Sequence, residues 1–151
     1  MSRGLAGNGT KNYFEMDSKI DGGDVMPVET VIDKKIGVMI RTVTGELTFE
    51  DIKSAFESSL AHPDFHKDMH VIWDLQNADA SKIYQQDVIR IARYFESQLK
   101  ERVDYKAAIV VSRDLEYGLS RMYQVAVADL PAKIGIFRGL EDAKKWVTTS
   151  D

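Results

Sequence analysis

The sequence predicts an α/β fold: a five-stranded, mainly parallel sheet with an antiparallel N-terminal edge strand, in the order β-β-α-β-α-β-α-β-α. Three observations predict it. Apolar runs of strand length, MHVIWDL and YKAAIVVS, are nearly continuous, as in strands covered on both faces. They alternate with segments whose apolar residues recur at helical spacing, the pattern of a parallel sheet with crossover helices. Ahead of them, MPVETVI and IGVMIRTV flank Asp33-Lys34-Lys35, which reads as a hairpin.

The elements follow in order. Residues 1–24 are rich in Gly, Asn, Asp and Ser, with Tyr13, Phe14, Met16 and Ile20 as their one sizeable apolar cluster, and end in Gly22-Gly23-Asp24. They are expected to form a flexible or partner-docked segment ahead of one domain over 25–151. After the hairpin, Thr48 is placed to cap a helix, with Asp51 in the capping-box position and Leu47 and Ile52 as its hydrophobic staple. Phe49, Ile52, Phe56 and Leu60 form its stripe, and Pro63 lies beyond its end. MHVIWDL is the next strand. A helix over about 84–100 carries the stripe Val88, Ile91, Ala92, Phe95 and Leu99. YKAAIVVS leads to a third helix from about Asp114, with Leu115, Leu119, Met122 and Ala126 on one face and Pro131 as its stop. AKIGIF is the last strand. Gly139 opens a short helix whose early Glu141 and Asp142 and later Lys144 and Lys145 suit its dipole.

Composition narrows the function. A chain of 151 residues with 44% hydrophobic content can bury a sizeable core as one domain. A net charge of -4 and no basic block argue against nucleic acid as partner. The chain has no cysteine, which excludes disulfides and thiolate metal sites. The opening MSRGLAGNGTKNYF has no signal-peptide apolar run, and no apolar stretch is long enough for membrane insertion. A cytoplasmic location is expected.

The element order, with VTGELTFEDI, VIWDL, SRDLEYGLSRMY and IGIFRGLEDAKKWV in sequence, resembles the SpoIIAA-like, or STAS/SEC14-like, family of small bacterial proteins. The resemblance covers about residues 28–148 and extends in fold to anti-sigma-factor antagonists. The family is known mostly from structures without an assigned reaction, so the resemblance implies the fold and adds little about activity. The lack of a convincing catalytic constellation is what points to a non-catalytic interaction or regulatory domain. In the antagonists, a strand ending in Asp-Leu leads to a turn whose serine is phosphorylated. Asp74-Leu75 matches that strand end, and Ser81 is the nearest serine. Ala80 before it and Lys82-Ile83 after it depart from the pattern, so no stoichiometric phosphate is expected on Ser81.

Six residues are candidates for a ligand or partner surface: Asp74, Asp79, Ser81, Arg113, Asp114 and Arg121. Asp74 is expected at the C-terminal end of a central strand, where open sheets bind ligands near changes in strand order. It either orients a ligand or holds its turn. Asp79 follows in a polar connection. Ser81 is read as a cap or loop residue. Ser112 or Asp114 is expected to cap the third helix, and Arg113 to close over an anion at its N-terminus. Arg121 is expected to reach a surface, and Gly118 to permit close packing on a neighbouring element. His62, His66 and His70 are four residues apart, but Pro63 interrupts the first interval and no metal site is expected. No cofactor motif is present, neither GxGxxG nor GxxxxGK[ST]. Trp73 and Trp146 read as core.

Three functions are compatible with this pattern. The first is a non-catalytic domain acting through a protein partner. The second is a carrier for a small apolar or anionic ligand, bordered by the aromatic helix Tyr84–Leu99. The third is a hydrolase or transferase built on Asp74, Arg113 and Asp114. A homodimer is also expected, through the N-terminal segment or an edge strand at 26–32.

Overall fold

The hairpin that opens the domain sets the sheet's edge. A computed structural model describes residues 27–150; the segment 1–24 lies outside them. β1 (Val28–Asp33) and β2 (Val38–Glu46) pair antiparallel. Their turn uses Gly37 at φ 67°, a left-handed conformation that glycine adopts without a Cβ penalty. Gly37 N–H donates to Asp33 O at 2.8 Å, and Lys35 N–H to Asp33 Oδ1 at 3.0 Å. α1 (Phe49–Ser59), β3 (His70–Asp79), α2 (Gln85–Leu99), β4 (Lys106–Val110), α3 (Asp114–Ala126), β5 (Lys133–Phe137) and α4 (Leu140–Thr148) follow.

The sheet runs β1-β2-β3-β4-β5, with every pair after the first parallel. Each crossover steps one strand in the same direction. Right-handed crossovers of that kind place their helices on one face. Accordingly, the larger core cluster joins α1, α2 and α3 residues (Phe56, Phe95 and half-buried Leu119 among them) to Met39, Val71 and Ala107 of the strands. The opposite face holds a smaller cluster, in which Ala143 and Val147 of α4 cover Val38, Ile72, Ala108 and Val110. The alternation along β3 and β4 divides these sets: Val71 and Ala107 face the three helices, Ile72 and Ala108 face α4. β4 is buried throughout, as a strand covered on both sides requires. The strand order never reverses, so the sheet has no switch point, and the expectation of a site beside one is not met.

Three local expectations need correction. Leu60, placed on the α1 stripe, caps the helix C-terminus and is exposed. On α3, Leu115 is 45% exposed, and the residues buried instead are Glu116 and Ser120. Gly118 meets nothing within 4 Å of where a Cβ would stand, so it does not mark a close approach within the described chain.

Candidate functional site

β3 continues past Asp74 and Leu75 to Asp79, which moves the end of the strand four residues beyond its expected place. A bulge makes this feasible. Thr42 pairs with Asp74 and Thr44 with Asn77, so β3 holds one more residue than β2 over that interval. The Asp74 carboxylate stabilises the bulge by accepting from Gln76 N–H and Gln76 Nε2, each at 3.1 Å from Oδ1. Asp74 also marks the last register pair between β3 and β4, opposite Val110. Beyond it the two strands separate. Ser112 Oγ reaches Gln76 O across the gap at 2.9 Å rather than capping α3.

Asp79, Ser81 and Arg113 come together where β3 leads into α2. Asp79 Oδ1 accepts from Ser81 N–H at 2.9 Å and lies 3.7 Å from Arg113 Nη2. Bonds from the Ser81 hydroxyl and N–H, aided by the guanidinium, hold the Asp79 carboxyl below its usual value. Ser81 does not cap α2. That helix begins after Tyr84, whose N–H donates to Asp87 Oδ2 at 2.9 Å.

The centre of this arrangement is Glu116, which the sequence reading did not single out. Its side chain is 1% exposed. Oε1 accepts from Arg113 Nε at 2.9 Å, and Oε2 accepts from Arg113 Nη2 and from Ala80 N–H, the latter at 3.0 Å. Burial alone would raise its pKa. The fork from Arg113 and the Ala80 N–H outweigh it, and the carboxyl lies below its usual value. Arg113 therefore closes over a residue of its own helix. Arg113 itself occupies the N-cap position of α3, and its side chain supplies no cap bond. Asp114 is fully exposed, 3.5 Å from Arg138 Nη2, and Arg121 is exposed further along the helix. Neither joins the Asp79–Arg113–Glu116 group.

Below that group lies a cavity of about 110 Å³ between the sheet and α2–α3. Trp73 and Ile109 from the strands, Ile91 and Phe95 from α2, and Leu119 and Tyr123 from α3 line it. Ala107 faces it with a small side chain in mid-strand, where a larger one would fill it. Its polar wall comprises Glu116 and Ser120 one helical turn apart on α3, together with Tyr105 and Tyr123. Burial raises the pKa of both phenols. Empty apolar space costs the fold dispersion contacts, and cavities of about 150 Å³ lined by apolar side chains take up benzene.

Arg41 stands behind this wall. The residue is 3% exposed, with its guanidinium 4.7 Å from the Trp73 ring centre and 5.6 Å from that of Phe56. Nη2 donates to Ser59 Oγ at 2.8 Å, while Nε has no partner. Among the described residues Arg41 forms no ion pair with a carboxylate. Desolvation pulls its pKa from 12.5 to about 10, and Tyr105 partly opposes that shift. Cation–π contacts contribute about 2 kcal/mol when desolvated, against several kcal/mol for burying one charge. The described residues leave that balance unfavourable. Sequence pattern offered no warning: IGVMIRTV reads as an alternating strand, and its arginine falls on the face shared with Met39 and Val43.

The histidines take separate structural places. His62 Nδ1 accepts from Asp64 N–H, and His70 Nδ1 from Lys106 N–H. Among the described residues no group of three His, Cys, Asp or Glu side chains could hold a metal ion. Nor, among the described residues, is any helix long and apolar enough to cross a membrane.

No family model matches the chain. No curated protein matches it either. Among solved structures, it is similar to an uncharacterized protein from the DUF3478 family with a SpoIIAA-like fold, from Shewanella loihica PV-4. The two share 16% identity at a TM-score of 0.53, over 84% of this chain and 98% of that one. Identity at that level speaks for architecture alone, and the architecture agrees: this chain has a SpoIIAA-like fold.

Proposed function

We propose that the chain is a non-catalytic binding domain that holds a compact apolar ligand between its sheet and helices α2 and α3. The observation that carries this reading is the apolar cavity of about 110 Å³ facing Ala107. Ligand sites in proteins are mostly apolar concavities with a few polar groups, and this one has Glu116, Ser120 and Tyr105 in its wall. A hydrolytic reading finds less support. Glu116 is held by Arg113 and Ala80 N–H, and neither Asp74 nor Asp114 belongs to the cavity wall.

Thermal unfolding of the full chain with benzene as probe tests the reading. Saturating benzene should raise the melting temperature of the natural sequence. Ala107→Leu, which fills the space from the strand side, should raise it without benzene and abolish the benzene-dependent rise. A benzene response in Ala107→Leu equal to that of the natural sequence would place binding elsewhere and refute the proposal.

A further inference from the structure

The polar wall of the cavity is short of hydrogen-bond partners. Glu116, Ser120 and Tyr123 stand on successive turns of α3 and line the cavity from one face of that helix. Tyr105, one residue ahead of β4, lines it from the sheet. The Glu116 carboxylate is occupied by Arg113 and by Ala80 N–H. The hydroxyls are not. Among the described residues neither the Ser120 nor the Tyr105 hydroxyl has a hydrogen-bond partner, although each residue is only 5% exposed. Nor are they sealed in protein: among the described residues the one side-chain polar atom left with neither a partner nor accessible surface is Arg41 Nε. Both hydroxyls therefore keep open surface inside the domain, and the open space that both residues border is the cavity. Burial raises the pKa of Tyr105 and of Tyr123, and the nearby Tyr105 adds to the rise at Tyr123, so both phenols keep their protons as donors.

Resting on the ligand-binding reading above, we propose that the ligand is a small neutral carbonyl compound, a ketone or an aldehyde, whose apolar body fills the cavity and whose oxygen accepts from the Tyr105 and Ser120 hydroxyls. The wall selects it in three ways. A carbonyl oxygen has two lone pairs for two donors, and it brings no proton that would need an acceptor of its own. A hydrocarbon of the same shape leaves the buried hydroxyls unpaired, which is costly in apolar surroundings. A carboxylate would bring a second negative charge to a wall that already holds Glu116, and among the described residues no Lys, Arg or His lines the cavity to offset it. The volume of about 110 Å³ limits the body to a compact ring or a short branched chain.

Isothermal titration calorimetry on the full chain tests this with two probes of one body, cyclopentanone and cyclopentane. Water solvates the ketone better than the hydrocarbon, so the readout is the change in each affinity when a hydroxyl is removed. Tyr105→Phe should weaken cyclopentanone about tenfold and leave cyclopentane as tight as before or tighter. Its melting temperature without ligand should not fall, because the hydroxyl it lacks had no partner. Ser120→Ala should show the same split, and it decides the matter if Tyr105→Phe fails to fold. Ala107→Leu should abolish binding of both probes. Cyclopentanone affinity unchanged by removal of either hydroxyl would overturn the carbonyl assignment, and cyclopentane binding in the same samples would leave the cavity reading intact. An equal loss of both probes would also overturn the assignment, since the hydroxyls would then shape the cavity without reading the ligand's oxygen. Binding of neither probe to the natural sequence would overturn both readings.

Discussion

Glu116 shows how one buried carboxylate can tie three segments together. It joins the end of β3 through Ala80 N–H, the start of α3 through Arg113, and the cavity wall. Replacing it with alanine strands the Ala80 N–H and should cost about 1–3 kcal/mol in urea unfolding. Its pH signature has a definite sign. The folded carboxyl lies below its ordinary 4.5, so the stabilisation is complete above that value and is lost as pH falls through the folded pKa. His70 contributes in a separate window. Burial, with Lys106 nearby, lowers its pKa from 6.5, and its Nδ1 must remain unprotonated to accept Lys106 N–H. Folding therefore favours neutral His70, and stability should begin to fall below about pH 6.5 as the unfolded chain takes up its proton. In His70→Asn the decline should begin only in the carboxylate range, and an unchanged onset near 6.5 would remove His70 from the account.

The elements were legible from sequence where local chemistry agreed with packing. The α2 stripe of Val88, Ile91, Ala92, Phe95 and Leu99 is the set that the structure buries. The Thr48–Asp51 capping box is present in full, with bonds of 3.2 and 3.0 Å. What periodicity missed was polar burial. On α3 it selected Leu115, but the buried positions are Glu116 and Ser120, because the carboxylate finds three donor bonds there. The extension of β3 was hidden for a related reason. QNAD has little strand character, yet the Asp74–Gln76 bonds and the pairing with Thr44–Glu46 keep it extended. β5 provides a test of packing at this scale. A Cβ on Gly135 would lie 2.8 Å from the Phe137 ring and 3.2 Å from that of Trp146. Overpacking costs about 1–3 kcal/mol, and the gain from a stiffer unfolded chain is under about 1 kcal/mol. Gly135→Ala should therefore be destabilised by denaturant titration, and an unchanged midpoint would show that the Phe137–Trp146 pair shifts freely.

At the scale of the whole molecule, the sheet separates two unequal layers. Three helices cover one face and α4 the other. The α4 layer is closed by short contacts such as Phe137 against Trp146, whose ring centres are 5.4 Å apart. The three-helix layer contains the cavity that Ala107 faces, with the Trp73 and Phe95 rings, 6.4 Å apart and edge to face, both in its wall. This one-sided opening is the proposed ligand site. Methyl-resolved NMR of the full chain titrated with benzene tests it most directly, because the two faces carry separate reporters. The Val71, Ile91, Ile109 and Leu119 methyls should shift saturably with one common dissociation constant, while those of Val38, Val110 and Val147 on the α4 face stay in place. Shifts confined to the exposed Val103 and Val125 methyls, or no saturable shift at the cavity methyls, would contradict it.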